Sequence, residues 1–219
     1  RSSALLTPSP AAAAPTPPLA PDQKRAALQA MDDSEVKGCT KCALCAGRTN
    51  TVFGEGDPDA RLMFVGEGPG QTEDELGRPF VGRAGELLNK QIAAMGLSRE
   101  QVYIANLVKC RPPQNRVPAP DEVDACSDYL VRQINAIRPA VNVTRGGPAI
   151  KGLTGSKEGI TRARGVWRQY TGLAARGGPV IPLMPTFHPA FLLRSYTTEN
   201  RAKVWSDLQE VMTKLGLKR

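Results

Sequence analysis

The sequence predicts an α/β protein, built as a single three-layer α/β/α sandwich around a central, mostly parallel sheet. Short apolar runs alternate with stretches of helical periodicity along most of the chain, the pattern of folds whose helices cover both faces of a parallel sheet. The 219 residues suit one such domain better than two, and a hydrophobic fraction of 41% is enough for a sizeable core. Pattern and length therefore point to the same fold class.

Composition separates the first residues from the rest of the chain. Residues 1–22 are mostly alanine, proline, serine and threonine, with almost no charge. A segment of such low complexity and so rich in proline is not expected to pack, and we predict a disordered linker there. The folded domain is expected over residues 23–219, with an alanine-rich helix across the junction at residues 21–31.

Five apolar runs predict the strands of the sheet, and helical spacing predicts the segments between them. The predicted strands are residues 62–65, 102–108, 140–143, 166–170 and 180–184. The predicted helices are residues 87–95, 120–137, a short one after residue 148, and 199–215. In such an arrangement the carboxyl ends of the parallel strands meet along one edge of the sheet.

The first of these strands ends at the sequence GEGPG, which places three glycines and a proline in residues 66–70. Glycine allows backbone angles that are closed to other residues and lets a ligand approach the main chain. Glu67 is therefore expected on a tight loop at the carboxyl end of a buried strand, where open α/β sheets bind ligands. The spacing is not that of the dinucleotide fingerprint G-x-G-x-x-G.

Two further side chains are candidates for the same edge of the sheet. Asn106 closes the second strand, and its amide offers a donor and an acceptor side by side, as the edge of a nucleic-acid base requires. Phe80 lies between two glycines in a loop with arginines and could stack on a base. Each of these residues taken alone is more often structural.

The sequence has one histidine, His188, which follows a predicted strand and precedes a proline. A residue before proline is pushed toward extended geometry, so we expect His188 on a loop at the sheet edge. The next residues, Phe191, Leu192 and Leu193 beside Arg194, form an apolar group on this loop. They are either a turn packed on the core or a wedge that enters a base stack, as apolar side chains do when they unstack DNA.

The five cysteines are grouped rather than scattered. Cys39 and Cys42 form a C-x-x-C unit, and Cys110 and Cys126 supply a second, distant pair. Four thiolates in this grouping fit a tetrahedral zinc or an iron–sulfur cluster. Cys45 is either a spare thiol or a replacement for Cys42 as a ligand.

Charge and hydropathy narrow the class of partner. The net charge of +8, spread over the chain, favours a polyanion, with nucleic acid first. No run approaches the length of apolar sequence that spans a membrane. A cytoplasmic protein that uses its cysteines for metal rather than for disulfides is the expectation.

In combination these motifs resemble the family 4 uracil-DNA glycosylases, which carry a [4Fe–4S] cluster. The likeness covers about residues 38–215 and rests on five stretches in order: C-x-x-C at 39–42, GEGPG at 66–70 followed by Glu73 and Asp74, GRPFVG at 77–82, NLVKCRPPQNR at 106–116, and HPA at 188–190. The resemblance implies the α/β/α sandwich of uracil glycosylases. It also implies an enzyme that flips uracil out of DNA and hydrolyses its N-glycosidic bond, starting base-excision repair.

By this resemblance the site residues take specific roles. Cys39, Cys42, Cys110 and Cys126 would hold a cluster with a structural role. Gly66, Glu67 and Gly68 would line the uracil pocket, Phe80 would stack on the flipped uracil, and Asn106 would read its edge. His188 would donate a hydrogen bond to uracil O2, and Leu192, Leu193 and Arg194 would fill the vacated space in the DNA. The implied partner is uracil-containing DNA, single- or double-stranded, bound by a monomer.

Two features depart from the pattern of the resemblance, the extra Cys45 and Arg145, and one position leaves open which group positions the water. The best-known uracil glycosylases have an aspartate where this chain has Gly68, so the group that positions the water is either Glu67 or Glu73. Arg145 stands where the family usually has an apolar residue. The alternatives to a uracil glycosylase are a non-catalytic, metal-stapled DNA-binding module and a glycosylase for other deaminated bases.

Overall fold

The structure, a computed structural model, describes residues 17–172 and 180–218. Within them the strands form one six-stranded sheet in the order β1-β3-β2-β4-β6-β5. The strands are β1 (Glu55–Gly56), β2 (Leu62–Gly66), β3 (Tyr103–Asn106), β4 (Val141–Arg145), β5 (Arg168–Tyr170) and β6 (Ile181–Thr186). The four inner strands are parallel and the two edge strands antiparallel, which confirms the mostly parallel sheet.

The helices lie on both faces of this sheet, as the alternating pattern predicts. They are α1 (Pro21–Met31), α2 (Gln71–Leu76), α3 (Arg83–Ala94), α4 (Pro120–Ile137), α5 (Gly147–Thr154), α6 (Ile160–Ala163), α7 (Pro189–Arg194) and α8 (Thr198–Leu215). In the part of the chain that the structure describes, none of them is both long and apolar enough to cross a membrane. Most of the predicted linker, residues 1–16, lies outside the described residues, and α1 begins at its predicted position.

The core has two layers because successive side chains of a strand point to opposite faces. Met63 and Val65 of β2 join the cluster beneath α1 and α4, which we call the α4 face. Leu62 and Phe64 join the cluster beneath α3 and α8, which we call the α8 face. All four side chains are buried, so the continuous apolar run at residues 62–65 reflects a strand covered on both sides.

Strand register brings the predicted site residues together. Gly66 at the end of β2 pairs with Asn106 at the end of β3, and Arg145 at the end of β4 pairs with Thr186 at the end of β6. The carboxyl ends of these four strands therefore form one edge. On the α4 face, Cys126 lies on the buried side of α4 with Tyr129 and Leu130, below the segment that leaves β3.

Candidate active site and cysteine site

Gly66, Asn106 and Phe80 meet at the carboxyl edge of the sheet. A Cβ atom added to Gly66 would lie 2.3 Å from Asn106 Oδ1 and 2.5 Å from Phe80 Cζ. Since both distances are far below contact distance, only glycine lets the amide and the ring close over the end of β2. The structure thus brings together three residues that are spread over 40 positions of the sequence.

The Asn106 side chain is 1% exposed, and its Oδ1 has no hydrogen-bond partner among the described residues. A buried acceptor left without a donor costs about 1–3 kcal/mol, so proteins rarely keep one without a use. The oxygen lies beside the ring of Phe80 and the bare backbone of Gly66. This arrangement suits a planar ligand that brings an N–H group to Oδ1.

Phe80 adopts a left-handed backbone conformation, with φ of 51°, which is uncommon for a residue other than glycine. Glu73 holds the loop from one side: Oε1 accepts the N–H groups of Val81 at 2.9 Å and Gly82 at 2.8 Å, and Oε2 accepts that of Gly70 at 3.2 Å. The Glu73 side chain is buried. Both of its oxygens are therefore engaged in holding the two loops that flank the site.

Arg99 holds the same loop from the carbonyl side. Its Nη1 donates to Phe80 O at 3.0 Å, and its Nη2 donates to Pro79 O. Glu55 pairs with this guanidinium and with that of Arg78, which fixes both ends of the loop to β1. Glu55 and Arg99 together thus restrain the strained turn that carries the Phe80 ring.

Glu67 follows β2 directly and is half-buried. Burial raises the pKa of its carboxyl group above the ordinary value. A carboxylate with a raised pKa is a better proton acceptor, and it lies on the loop that the sequence predicts as the ligand site. Gly68 is next along this loop, where a Cβ would lie 2.8 Å from Val108 Cγ2, so the loop packs closely against the segment after β3.

His188 lies on the other side of Phe80, with 5.6 Å between the ring centroids. Its Nδ1 accepts the backbone N–H of Ala190 at 3.1 Å, so in a neutral imidazole the proton is on Nε2. Burial, together with the positive charges of Arg145 and Arg194, lowers the pKa of His188 to about 3. The side chain is therefore a neutral N–H donor at physiological pH.

The segment after His188 is a helix rather than the predicted loop. His188 caps α7, and Pro189 occupies its first position, where the missing N–H is not needed. The expectation of an exposed apolar tip is wrong for Leu192, which is 1% exposed and packs in the α8-face cluster. Leu193, at 36% exposed, and Arg194 do reach the surface. The proline after a capping residue was the sequence signal for this helix.

Lys109 supports the site, a role that sequence reasoning missed. Its buried Nζ donates to the backbone oxygen of Asn106 at 3.0 Å and to Gln133 Oε1 at 2.7 Å. Gln133 in turn donates to Phe53 O at 2.9 Å. This chain of bonds ties the end of β3 to α4. Burial lowers the pKa of Lys109 to about 8.

The four predicted cysteine ligands line one pocket on the α4 face, and Cys45 lines it too. Two N–H groups point at the sulfurs: Arg48 Nη1 lies 3.2 Å from Cys110 Sγ, and the backbone nitrogen of Lys109 lies 3.3 Å from Cys126 Sγ. Such donors favour thiolate over thiol and are common around sulfur-ligated metal groups. The residues present thus fit a thiolate-bound group.

The arrangement also bears on which group fits. Among residues 17–172 and 180–218, no three or more His, Cys, Asp or Glu side chains lie so that they could hold a metal ion. A tetrahedral zinc needs all four sulfurs within about 2.3 Å of one centre. A cluster of several irons takes one thiolate at each iron, and the cysteines that line the pocket are enough for either group. Burial raises the pKa of Cys126 to about 11, which a bound cationic group would offset.

Comparison with known proteins places these features in a family. The profile of the uracil DNA glycosylase superfamily matches residues 53–209. A type-4 uracil-DNA glycosylase of Thermotoga maritima is 47% identical over 187 residues, covering 85% of this chain and 94% of its own. Those of Sulfurisphaera tokodaii and Archaeoglobus fulgidus are 49% and 42% identical, covering 73% and 87% of this chain and 73% and 96% of theirs.

Proposed function

Because the chain belongs to the uracil DNA glycosylase superfamily, we propose that it is a uracil-DNA glycosylase, which hydrolyses the bond between uracil and deoxyribose. The observation that carries the proposal is the buried Asn106 Oδ1, which has no partner in the described residues and lies against Phe80 and Gly66. The type-4 relatives and the grouped cysteines support the same assignment.

Asn106 is proposed to read the base. Its oxygen accepts N3–H of uracil and its NH2 group donates to O4. Cytosine has an acceptor at N3 and an amino donor on C4 in place of O4, so both contacts become repulsive. A bidentate pair of this kind discriminates by about 1–3 kcal/mol. Phe80 stacks on the base, which adds about 1–3 kcal/mol without regard to its identity.

The base is reached by flipping it out of the stack, which costs a few kcal/mol, and we propose that the end of α7 helps to meet that cost. Leu193 and Arg194 are exposed on the short helix whose first turn carries His188. They are therefore placed to enter the gap that the base leaves. The net charge of +8 favours binding to the phosphate backbone of DNA.

The reaction breaks the bond between C1′ and N1. The bonding electrons go to uracil and are shared with O2, while the sugar becomes positively charged at C1′. His188 Nε2–H is proposed to donate to O2, a contact that strengthens as the negative charge forms. A water then bonds to C1′, and its proton finally resides on N1 of the released uracil. Glu67 is the candidate to hold this water, because the oxygens of Glu73 are engaged in the loops.

Cys39, Cys42, Cys110 and Cys126 are proposed to hold a [4Fe–4S] cluster. When bound, the cluster supplies a structural bridge, since hydrolysis transfers no electrons between redox partners. Bound there, the group would tie the segment before β1 to Cys110 after β3 and to Cys126 of α4. Lys109 would link it to Asn106, because its backbone N–H donates to Cys126 Sγ and its Nζ donates to Asn106 O. The monomeric state and the cytoplasmic location stay predictions.

The proposal is tested by incubating the purified protein with end-labelled oligonucleotides that differ in one base. The bases are uracil, cytosine, thymine or hypoxanthine, and abasic sites are revealed by alkali. We expect cleavage at uracil and none at cytosine. No cleavage at uracil by protein with its full iron content and native circular dichroism would instead indicate a non-catalytic DNA-binding module. Equal cleavage at hypoxanthine would indicate a glycosylase of broader range.

A further inference from the structure

Arg145, the last residue of β4, is an arginine buried within the protein. Its side chain is 0% exposed and lies on the α8 face of the sheet. Nη2 donates to Gln91 Oε1 of α3 at 2.6 Å. Nε and Nη1 are buried and find no acceptor in residues 17–172 and 180–218. Arginine is almost never fully buried unless it is paired, so the site calls for a physical reason.

The carboxylate that acts on Arg145, that of Asp207, already has other hydrogen-bond partners. Asp207 of α8 accepts hydrogen bonds from Thr186 Oγ1, at 2.6 Å, and from Arg164. Among the described residues, no carboxylate lies within ion-pair distance of Arg145, and Asp207 acts on it only through its field. Burial lowers the pKa of Arg145 to about 9, so the guanidinium keeps its charge at neutral pH. The result is a buried cation with two unused donors.

The backbone that carries this cation lies directly beside His188. Gly146 follows Arg145, and a Cβ on Gly146 would be 3.2 Å from His188 Cβ. The Gly146 N–H donates to Thr186 O at 2.9 Å, which fixes the end of β4 against the strand that leads to His188. Arg145 is therefore held against the proposed leaving-group site by backbone bonds and by Gln91, rather than by a counter-ion.

We propose that Arg145 is a positioning residue of the active site, whose buried charge adds positive potential next to His188 and where the uracil anion forms. The inference rests on the proposed glycosylase function. It divides two tasks between two residues: His188 supplies the hydrogen bond and Arg145 supplies the charge. A fixed charge in a water-poor site stabilises a developing anion without any proton uptake.

The charges around His188 come from several elements. The charge of Arg145 acts on His188 from β4, and that of Arg194 acts on it from α7. From α8, Asp207 acts on Arg145 and is paired with Arg164. Helix α3 contributes Gln91, which is uncharged. Both charges that act on the imidazole are thus positive, and only that of Arg145 is buried and held in place.

The test compares Arg145→Met, which fills the space without charge, with Arg145→Lys, which replaces the guanidinium with an amine that burial can deprotonate. Arg61→Met is the matched control, because Arg61 lies just before β2, at the opposite edge of the sheet, and its side chain bonds only to the backbone of Leu215 in the described structure. Two quantities are measured: single-turnover release of uracil, and the titration of His188 by NMR. Since His188 is the only histidine, its signals need no assignment.

We expect Arg145→Met to lower the single-turnover rate roughly tenfold without weakening DNA binding, and to raise the pH at which His188 titrates. Arg145→Lys is expected to lie between Arg145→Met and wild type, because a lysine buried without a counter-ion loses its proton more readily than an arginine. Arg61→Met is expected to match wild type. An unchanged rate and an unchanged His188 titration in Arg145→Met would overturn the inference, as would an equal loss in Arg61→Met. If the wild type released no uracil, the proposed function would fail, while the titration would still decide whether Arg145 acts on His188.

Discussion

Two buried cations, Lys109 and Arg145, lie beyond or at the ends of inner strands of the same sheet and are used in opposite ways. Lys109 donates to the backbone of Asn106 and to Gln133, and so holds the end of β3 in place. Arg145 makes one side-chain bond, to Gln91, and keeps two donors unused in the described structure. Lys109 therefore has a structural role through its hydrogen bonds, whereas Arg145 acts through its charge.

The largest loss of activity is expected on substitution of His188, the residue on which the charge of Arg145 acts. His188→Ala removes the donor to O2, and we expect the single-turnover rate of uracil release to fall by roughly 100- to 1,000-fold. The affinity for DNA with an abasic site, which has no O2, should not change. A rate within tenfold of wild type would remove His188, and with it the target of Arg145, from the mechanism.

The next largest effect separates the two carboxylates. Glu67→Gln should lower the rate by roughly 100-fold, because the water loses its acceptor. Glu73→Gln keeps one acceptor oxygen for the loops, so its rate should fall less, while its free energy of unfolding should drop by about 1–3 kcal/mol. The measurements are single-turnover kinetics and urea unfolding at matched iron content. Equal and negligible rate losses in both variants would exclude carboxylate catalysis.

Lys109 and Arg145 should also differ in their contribution to stability. Lys109→Met leaves the Asn106 and Gln133 oxygens without their donor, and we expect a loss of about 1–3 kcal/mol in urea unfolding. Arg145→Met removes a buried cation without a counter-ion, which is expected to leave stability unchanged or to raise it. A large destabilisation by Arg145→Met would make Arg145 a structural residue like Lys109.

The smallest effect on chemistry is expected at the end of α7. Leu193→Ala should slow release from double-stranded DNA by a few-fold and leave single-stranded DNA unaffected, because only the duplex has a gap to fill. Leu192→Ala is the matched comparison. It removes a buried side chain, so it should lower the free energy of unfolding by about 2–5 kcal/mol. An equal slowing of release from both kinds of DNA by Leu193→Ala would count against a role in base flipping.

The sequence predicted the elements of the fold better than the arrangement of charges in the site. Continuous apolar runs and helical spacing predicted strands β2 to β6 and helices α1, α3, α4, α5 and α8, because they report which faces are buried. The short elements β1, α2, α6 and α7 were not predicted. The approach of Phe80 and Asn106 to Gly66 was implied by the glycine-rich loop and by the resemblance. The engagement of Glu73 in the loops, the bond from Lys109 to Asn106 and the burial of Arg145 depend on side-chain contacts between distant elements. No local pattern reports such contacts.

The error at Leu192 has the same origin. A histidine followed by proline predicts extended backbone before the proline, which is correct, but the proline also begins a helix. Once α7 forms, its helical spacing turns Leu192 toward the α8-face core and Leu193 toward solvent. The apolar run alone cannot distinguish the two residues.

The central claim is that Asn106 recognises uracil through its amide, and its most direct test is Asn106→Asp. The change keeps the shape of the side chain but replaces the donor to O4 with an acceptor. The control is Asn135→Asp, the same change at an exposed position of α4. We predict that uracil release falls at least roughly 100-fold in Asn106→Asp and stays at the wild-type rate in Asn135→Asp. Release by Asn106→Asp within a few-fold of wild type would contradict the account.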